Sequence, residues 1–168
     1  MTINCSPSND GGTAVYFIQG EVVPEYGYNI IKDLVNLKND NSIRKLKIII
    51  QSQMGCYSCC NAIYDLLVSI PYEIECYALG AIQGAPMSIF MAGVERYMSD
   101  STRVFLGLSN KTFSNSIEKD AYDNYLSIIT TIANVDSREL KRLSERNASL
   151  TKLDCANAGL ITASGFPI

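Results

Sequence analysis

The chain has 168 residues, of which 47% are hydrophobic and 18% charged, enough for one folded domain with a substantial core. This balance excludes wholesale disorder. The net charge of −3 argues against a general nucleic-acid binder, because no excess of basic residues is available to neutralise phosphates. Histidine is absent, which excludes Ser-His-Asp or Cys-His catalysis and histidine metal ligation by this sequence alone.

Apolar patterns alternate between strand and helix spacing along the chain. We interpret residues 1–13 as a polar leader without the basic and apolar regions of a secretory signal, and residues 14–168 as a single domain. The patterns predict strands at 14–18, 45–51, 73–79, 96–98 and 103–106, and helices at 26–38, 62–70, 87–92, 117–133, from 136 and from 152. Strands that alternate with helices indicate a parallel sheet layered with helices, an α/β fold.

Capping and turn residues predict several boundaries. Asp136 with Glu139 has the capping-box pattern of a helix start, and Gly159 suits the position after a helix end. Residues 80–86, with two glycines and a proline, predict a turn after the third strand. The residues expected on the buried face of the preceding helix are Ala62, Ile63, Leu66, Leu67 and Ile70.

A stretch of nineteen residues without charge lies between Glu75 and Glu95. Its length could span a bilayer. Its glycines, Pro86 and the polar Gln83 and Ser88 are unlike the Leu, Ile, Val and Phe of spanning helices. We therefore interpret it as a buried strand, a turn and a buried helix, and predict no membrane partner.

Three closely spaced cysteines, Cys56, Cys59 and Cys60, form a C-x-x-C-C pattern. A zinc or redox site is one interpretation, but a second pair of zinc ligands is absent from the sequence. We interpret the cysteines as small apolar residues that fill the core, and predict no metal and no cofactor. The alternative is a thiol activated at a helix N-terminus, for which Cys56 is the best candidate.

Five motifs in order resemble the ClpP family, the proteolytic subunits of the caseinolytic protease. They are QSQMG at 51–55 followed by AIYD at 62–65, GAIQGAP at 80–86, the Ala-Gly pair at 92–93, TRV at 102–104, and Thr151 with GLI at 159–161. The resemblance covers residues 14–161. It implies a ClpP/crotonase-like α/β fold of repeated β-β-α units, with a parallel sheet layered with helices.

The same resemblance implies that the catalytic positions are vacated. Carried over by motif, the nucleophilic serine falls on Gly84, the histidine on Gly107 and the aspartate on Asn147. Glycine offers neither a nucleophile nor a base. The backbone N–H groups of Gly55 and Ala85 match the family's oxyanion hole, and either still form a carbonyl pocket or keep their shape only for packing.

Other hydroxyl and aromatic side chains are expected near these positions. The nearby hydroxyls are Ser52, Ser58 and Ser88, but no lysine lies between Lys47 and Lys111, which disfavours a Ser-Lys peptidase. The tyrosines expected around the site, as core or interface residues rather than ligand-stacking groups, are Tyr57, Tyr64, Tyr72 and Tyr77.

The lost triad within a ClpP-like chain implies a catalytically inactive subunit, a pseudopeptidase with a structural or regulatory role in a Clp-type ring. It would assemble with itself or with an active ClpP-like subunit. Docking of an unfoldase chaperone is in doubt, because the segment before the first strand and the region 107–137 are shorter than in the family. The alternatives are a serine peptidase completed by a neighbouring chain and a crotonase-like module that binds an acyl or peptide carbonyl. The expected location is the cytoplasm, or the interior of an organelle or infected cell.

Overall fold

The computed structural model describes residues 6–7, 12–107, 113–145 and 149–167. Within them, six strands form one sheet, in the order β1-β2-β3-β4-β5, with β6 paired to β4. The strands are β1 (Ser6–Pro7), β2 (Thr13–Gln19), β3 (Lys45–Ser52), β4 (Glu73–Gln83), β5 (Glu95–Met98) and β6 (Arg103–Phe105). The helices are α1 (Pro24–Lys38), α2 (Tyr57–Ser69), α3 (Pro86–Met91), α4 (Ser116–Ala133), α5 (Ser137–Glu145) and α6 (Lys152–Asn157).

The sheet is parallel except at one edge. β2, β3, β4, β5 and β6 pair in parallel, and β1, which lies within the predicted polar leader, pairs antiparallel with β2. Parallel neighbours need a crossover between them, and the helices that follow β2, β3 and β4 provide it. In β3, Ile48, Ile49 and Ile50 are all buried, as is typical of a central parallel strand. The predicted α/β architecture is confirmed.

β4 is longer than the sequence pattern predicts. The turn expected over residues 80–86 is wrong in its first half, because β4 continues to Gln83. Its residues 75–78 pair with β5, and its residues 81–83 pair with β6. Gly80, with φ +62°, lies between the two pairings. A strand can change neighbours here because glycine adopts this left-handed backbone without strain.

The helices pack with the sheet around one core. α1 packs on α2, and α2 also packs on α3 and α4. Ile63, Leu67 and Ile70 are buried as predicted, whereas Ala62 is exposed, so its assignment to the buried face is wrong. Among the described residues, no helix is both long and apolar enough to cross a membrane. The uncharged stretch forms the end of β4, a short turn and α3, as predicted.

The helices predicted from residues 136 and 152 are present as α5 and α6. The Asp136 side chain accepts a hydrogen bond from the Arg138 N–H (2.7 Å) at the start of α5, and the carboxylate of Glu139 binds Arg142. At α6, Thr151 and Asp154 form a reciprocal capping box.

Candidate functional site

The ends of β4 and β6 bring together Gly84 and Gly107, to which the resemblance assigns the family's serine and histidine. Gln83 pairs with Phe105 in the parallel ladder, and the Gly84 N–H donates to the Phe105 carbonyl at 2.9 Å. Gly107 follows two residues after β6. A Cβ atom placed on Gly107 would lie 3.3 Å from Gly84 Cα and 3.6 Å from Gly84 N. The two backbones are therefore in direct contact.

Both glycines adopt a backbone that disfavours side chains. Gly84 has φ +64° and Gly107 has φ +66°. An L-residue in this left-handed region costs about 1–2 kcal/mol. A serine or a histidine at either position would be strained, and a Cβ on Gly107 would lie tightly against the Gly84 backbone.

An aromatic cluster lies beside this contact. A Cβ on Gly84 would lie 3.6 Å from the Tyr57 hydroxyl oxygen. The Tyr57 ring packs on Tyr122 and Tyr125, with centroid distances of 5.3 and 5.1 Å. The Tyr125 hydroxyl donates to the Leu106 carbonyl at 2.7 Å. Burial raises the pKa of Tyr57 to about 12, so its phenol is neutral near pH 7 and is no substitute nucleophile.

Gly55 and the start of α3 contain the two residues that the resemblance assigned to an oxyanion hole. A Cβ on Gly55 would lie 3.0 Å from Cys60 Sγ and 3.2 Å from Pro86 Cδ, which places Gly55 against the Ala85–Pro86 peptide. Within the described ranges, the N–H groups of Gly55 and Ala85 make no hydrogen bond. The structure thus brings together the two groups that the resemblance assigned to an oxyanion hole.

The remaining candidates for catalysis do not complete the site. Asn147 lies outside the described residues. Ser88 is buried and donates to the Ala85 carbonyl at 2.8 Å, and Ser52 is buried and donates to the Gly20 carbonyl at 2.6 Å. Both hydroxyls therefore already donate their protons to backbone carbonyls. Ser58 is exposed on α2.

The four tyrosines expected around the site do not share one location. Tyr57 lies beside Gly84, and Tyr64 is half-buried two turns further along α2. The Tyr72 hydroxyl lies 2.7 Å from the carbonyl oxygens of Leu37 and Asp40, at the end of α1, and shares its one proton between them. Tyr77 lies seven residues before Gly84 in the chain, roughly 20 Å at the rise of a strand. The prediction is therefore wrong for Tyr72 and Tyr77.

The cysteines differ in burial. Cys60 is buried as predicted, but Cys56 and Cys59 are only half-buried, because one precedes α2 and the other lies on its first turn. Burial raises the pKa of the Cys59 thiol to about 11. Over the described part of the chain, no group of three or more His, Cys, Asp and Glu side chains is arranged to hold a metal.

Comparison with known proteins places this architecture in a family. Residues 12–163 match the family described as Clp protease. Among solved structures, ClpP1 from Listeria monocytogenes is similar, with a TM-score of 0.75 and 19% sequence identity over 88% of each chain. That likeness shows the shared fold. No curated protein sequence matches. Because the family match spans most of its length, the chain belongs to the Clp protease family.

Proposed function

We propose that this chain is a catalytically inactive ClpP-like subunit. The observation that carries the proposal is the backbone contact between Gly84 and Gly107, two residues without side chains and at positive φ, at the positions to which the resemblance assigns a serine and a histidine. Loss of either side chain from such a triad typically lowers kcat by about 10⁶. Backbone donors alone leave on the order of 10³–10⁴ over water.

The surroundings of the two glycines support inactivity. The hydroxyl beside Gly84 belongs to Tyr57, whose raised pKa keeps it protonated. Ser52 and Ser88 are buried donors to carbonyls. A hydroxyl becomes a nucleophile only with a base within hydrogen-bond reach, and both serines donate to groups that take no proton.

The proposed role of the subunit is structural or regulatory, in a Clp-type ring formed with itself or with an active ClpP-like chain. Large apolar side chains exposed on several elements support it, since such groups mark association surfaces when they are contiguous. They include Tyr28, Val35, Val68, Ile117 and Leu153. Symmetric assembly would bury the same faces on every copy.

A second candidate function is binding of an acyl or peptide carbonyl. The Gly55 and Ala85 N–H groups favour it, because within the described ranges neither has an acceptor. Two N–H donors directed at one oxygen would hold a carbonyl without any nucleophile. A peptide aldehyde or other carbonyl ligand that protects Gly55 from hydrogen exchange would support this candidate, and unchanged exchange would remove it.

Hydrolysis of a short fluorogenic peptide tests inactivity. We expect none from the chain alone. We also expect none from the chain mixed with a ClpP-type subunit whose catalytic serine is replaced by alanine. Hydrolysis by the mixture only would show a site completed between chains, and hydrolysis by the chain alone would contradict the proposal.

Sedimentation tests the ring role. We expect particles several times heavier than the 18.5 kDa chain, either alone or with an active ClpP-like subunit. A monomer under both conditions at micromolar concentration would contradict the ring and leave the fold unaffected.

A further inference from the structure

Two cysteines lie at the first turn of α2. Cys56 is the N-cap residue, with an extended backbone (φ −73°, ψ 124°), and Cys59 is the third residue of the helix. An N-cap side chain faces the third helical residue, as in a capping box. Here those two positions are Cys56 and Cys59, and the proximity of Cys56 adds to the effect of burial in raising the pKa of the Cys59 thiol. The Cys60 N–H donates to the Cys56 carbonyl at 3.0 Å and closes the turn beneath the pair.

The two thiols differ from the other described cysteines in access to solvent. Cys56 and Cys59 are half-buried, whereas Cys60, Cys76 and Cys155 are buried. Burial raises the pKa of Cys76 and of Cys155 to about 12, as expected of inert structural thiols. Reagents dissolved in water should therefore reach the Cys56–Cys59 pair first.

The members of the pair are not equivalent. One side of Cys59 is covered by α1, since a Cβ on Gly27 would lie 3.0 Å from Cys59 Cβ and 3.5 Å from its sulfur. Burial, followed by the contact with Cys56, raises the pKa of the Cys59 thiol to about 11. Cys59 is neutral near pH 7, so Cys56 is the thiol that attacks and Cys59 the one that resolves.

We propose that Cys56 and Cys59 form a thiol–disulfide exchange pair that reacts with low-molecular-weight disulfides such as oxidised glutathione. The Cys56 thiolate attacks one glutathione sulfur. A bond forms between that sulfur and Cys56 Sγ, the glutathione disulfide breaks, and the released thiolate takes up the proton that Cys56 lost to water. The Cys59 sulfur then attacks Cys56 Sγ and releases the second glutathione, which receives the Cys59 proton. Two protein thiols thus lose two electrons and two protons, and one glutathione disulfide becomes two thiols.

This chemistry is separate from the vacated peptidase site. It uses neither Gly84 nor Gly107, and it stands whether or not the chain enters a ring. Cys60 does not compete in it, because its sulfur is buried against Gly55, where a Cβ would lie 3.0 Å away.

The test treats the reduced, full-length chain with oxidised glutathione at about pH 7.5, quenches with acid and alkylates the remaining thiols. Chymotrypsin cleaves after Tyr57, between the two cysteines, so a Cys56–Cys59 disulfide holds two peptides together until it is reduced. We expect joined peptides, reversible by dithiothreitol, that form at least about tenfold faster than Cys155 reacts.

Matched variants assign the bond. Cys60→Ala should keep the joined peptides, whereas Cys59→Ala should lose them and retain glutathione on Cys56. Joined peptides in Cys59→Ala would assign the bond to Cys60 and overturn the proposal. So would loss of the pair's thiols no faster than loss of Cys155, or glutathione that persists on Cys56 in the unmodified chain. Fragmentation of the joined peptides distinguishes Cys59 from Cys60 without any variant, so a misfolded variant does not remove the test.

Discussion

Gly107 lies so close to Gly84 that a Cβ on the first would be 3.3 Å from the Cα of the second. The parallel pairing of Gln83 with Phe105 and the Gly84–Phe105 hydrogen bond lead the two chain segments into this contact. Where the resemblance would place a serine and a histidine, two backbones at positive φ lie in contact, and the Tyr57 hydroxyl lies beside Gly84.

Restoring the two side chains should not restore hydrolysis. Gly84→Ser and Gly107→His each place an L-residue at a positive φ and should lower the free energy of unfolding by about 1–2 kcal/mol. The double variant should lose more than the sum, because both substitutions act on one contact, in which a Cβ on Gly107 lies 3.3 Å from Gly84 Cα. Urea unfolding and peptide hydrolysis measure both effects.

Gly165→Ala is the control for the two glycine substitutions. Gly165 has no positive φ, and its Cβ would meet Pro167 Cδ at an ordinary 3.6 Å, so the loss should be below about 0.5 kcal/mol. Hydrolysis by the double variant, or strictly additive losses, would show that the glycine contact is easily opened.

The Tyr125 hydroxyl should stabilise the fold by holding the segment after β6, which contains Leu106 and Gly107. Tyr125→Phe leaves the Leu106 carbonyl without its buried donor and should cost about 1–3 kcal/mol. Tyr122→Phe is the matched control, since within the described residues Tyr122 makes ring contacts and no hydrogen bond, and should be nearly neutral. Chemical denaturation compares them, and equal losses would argue against a role for the Leu106 bond.

Arg96 should anchor the segment that follows α6. Its buried guanidinium donates to the carbonyls of Gly93 (2.9 Å), Gly159 (3.1 Å) and Leu160 (2.9 Å). Arg96→Met leaves these carbonyls without their donor, and should cost about 3 kcal/mol or more and expose residues 159–167 to proteolysis. Arg103→Met, at a half-exposed arginine, should cost below about 1 kcal/mol. Similar proteolysis of the two variants would contradict this anchoring role.

Glu75 should make the fold sensitive to acid. Burial alone would raise the pKa of its carboxyl, but hydrogen bonds from Lys45 and Tyr77, both 2.7 Å, hold that pKa below the ordinary value of 4.5. The unfolded chain then binds a proton more readily than the folded chain, so the contribution of Glu75 is present above pH 4.5 and is lost as the pH falls through the folded pKa.

Thermal unfolding at several pH values measures this contribution. The difference in stability between the parent and Glu75→Gln should be largest near neutral pH and should shrink in acid. The same difference, measured in a chain that carries Lys45→Met, should also be smaller. A difference that stays constant with pH would show that Glu75 contributes by packing alone.

Local patterns predicted most elements because strand and helix periodicities are strong in a parallel α/β chain. They failed where a distant segment decides the outcome. Residues 80–83 contain a glycine and resemble a turn, but β6 pairs with them and extends β4. Ala62 fits an apolar helix face by type, yet its position on α2 points away from the core.

Motif order in the sequence assigned Gly84 and Gly107 to the family's catalytic positions, and Gly55 and Ala85 to its carbonyl-binding positions, and these assignments stay predictions. Sequence alone could not show that the first two touch, because that depends on the β4–β6 register. The C-x-x-C spacing was the available signal for the thiol pair, but the burial of each cysteine depends on where α1 packs.

Native mass spectrometry of the chain after treatment with a fluorophosphonate tests the central claim most directly. The account predicts oligomers whose mass is a multiple of the unmodified 18.5 kDa chain, with no adduct on any subunit. One adduct per chain would reveal an activated nucleophile and contradict a catalytically inactive subunit. A monomer, alone and with an active ClpP-like partner, would contradict a component of a ring.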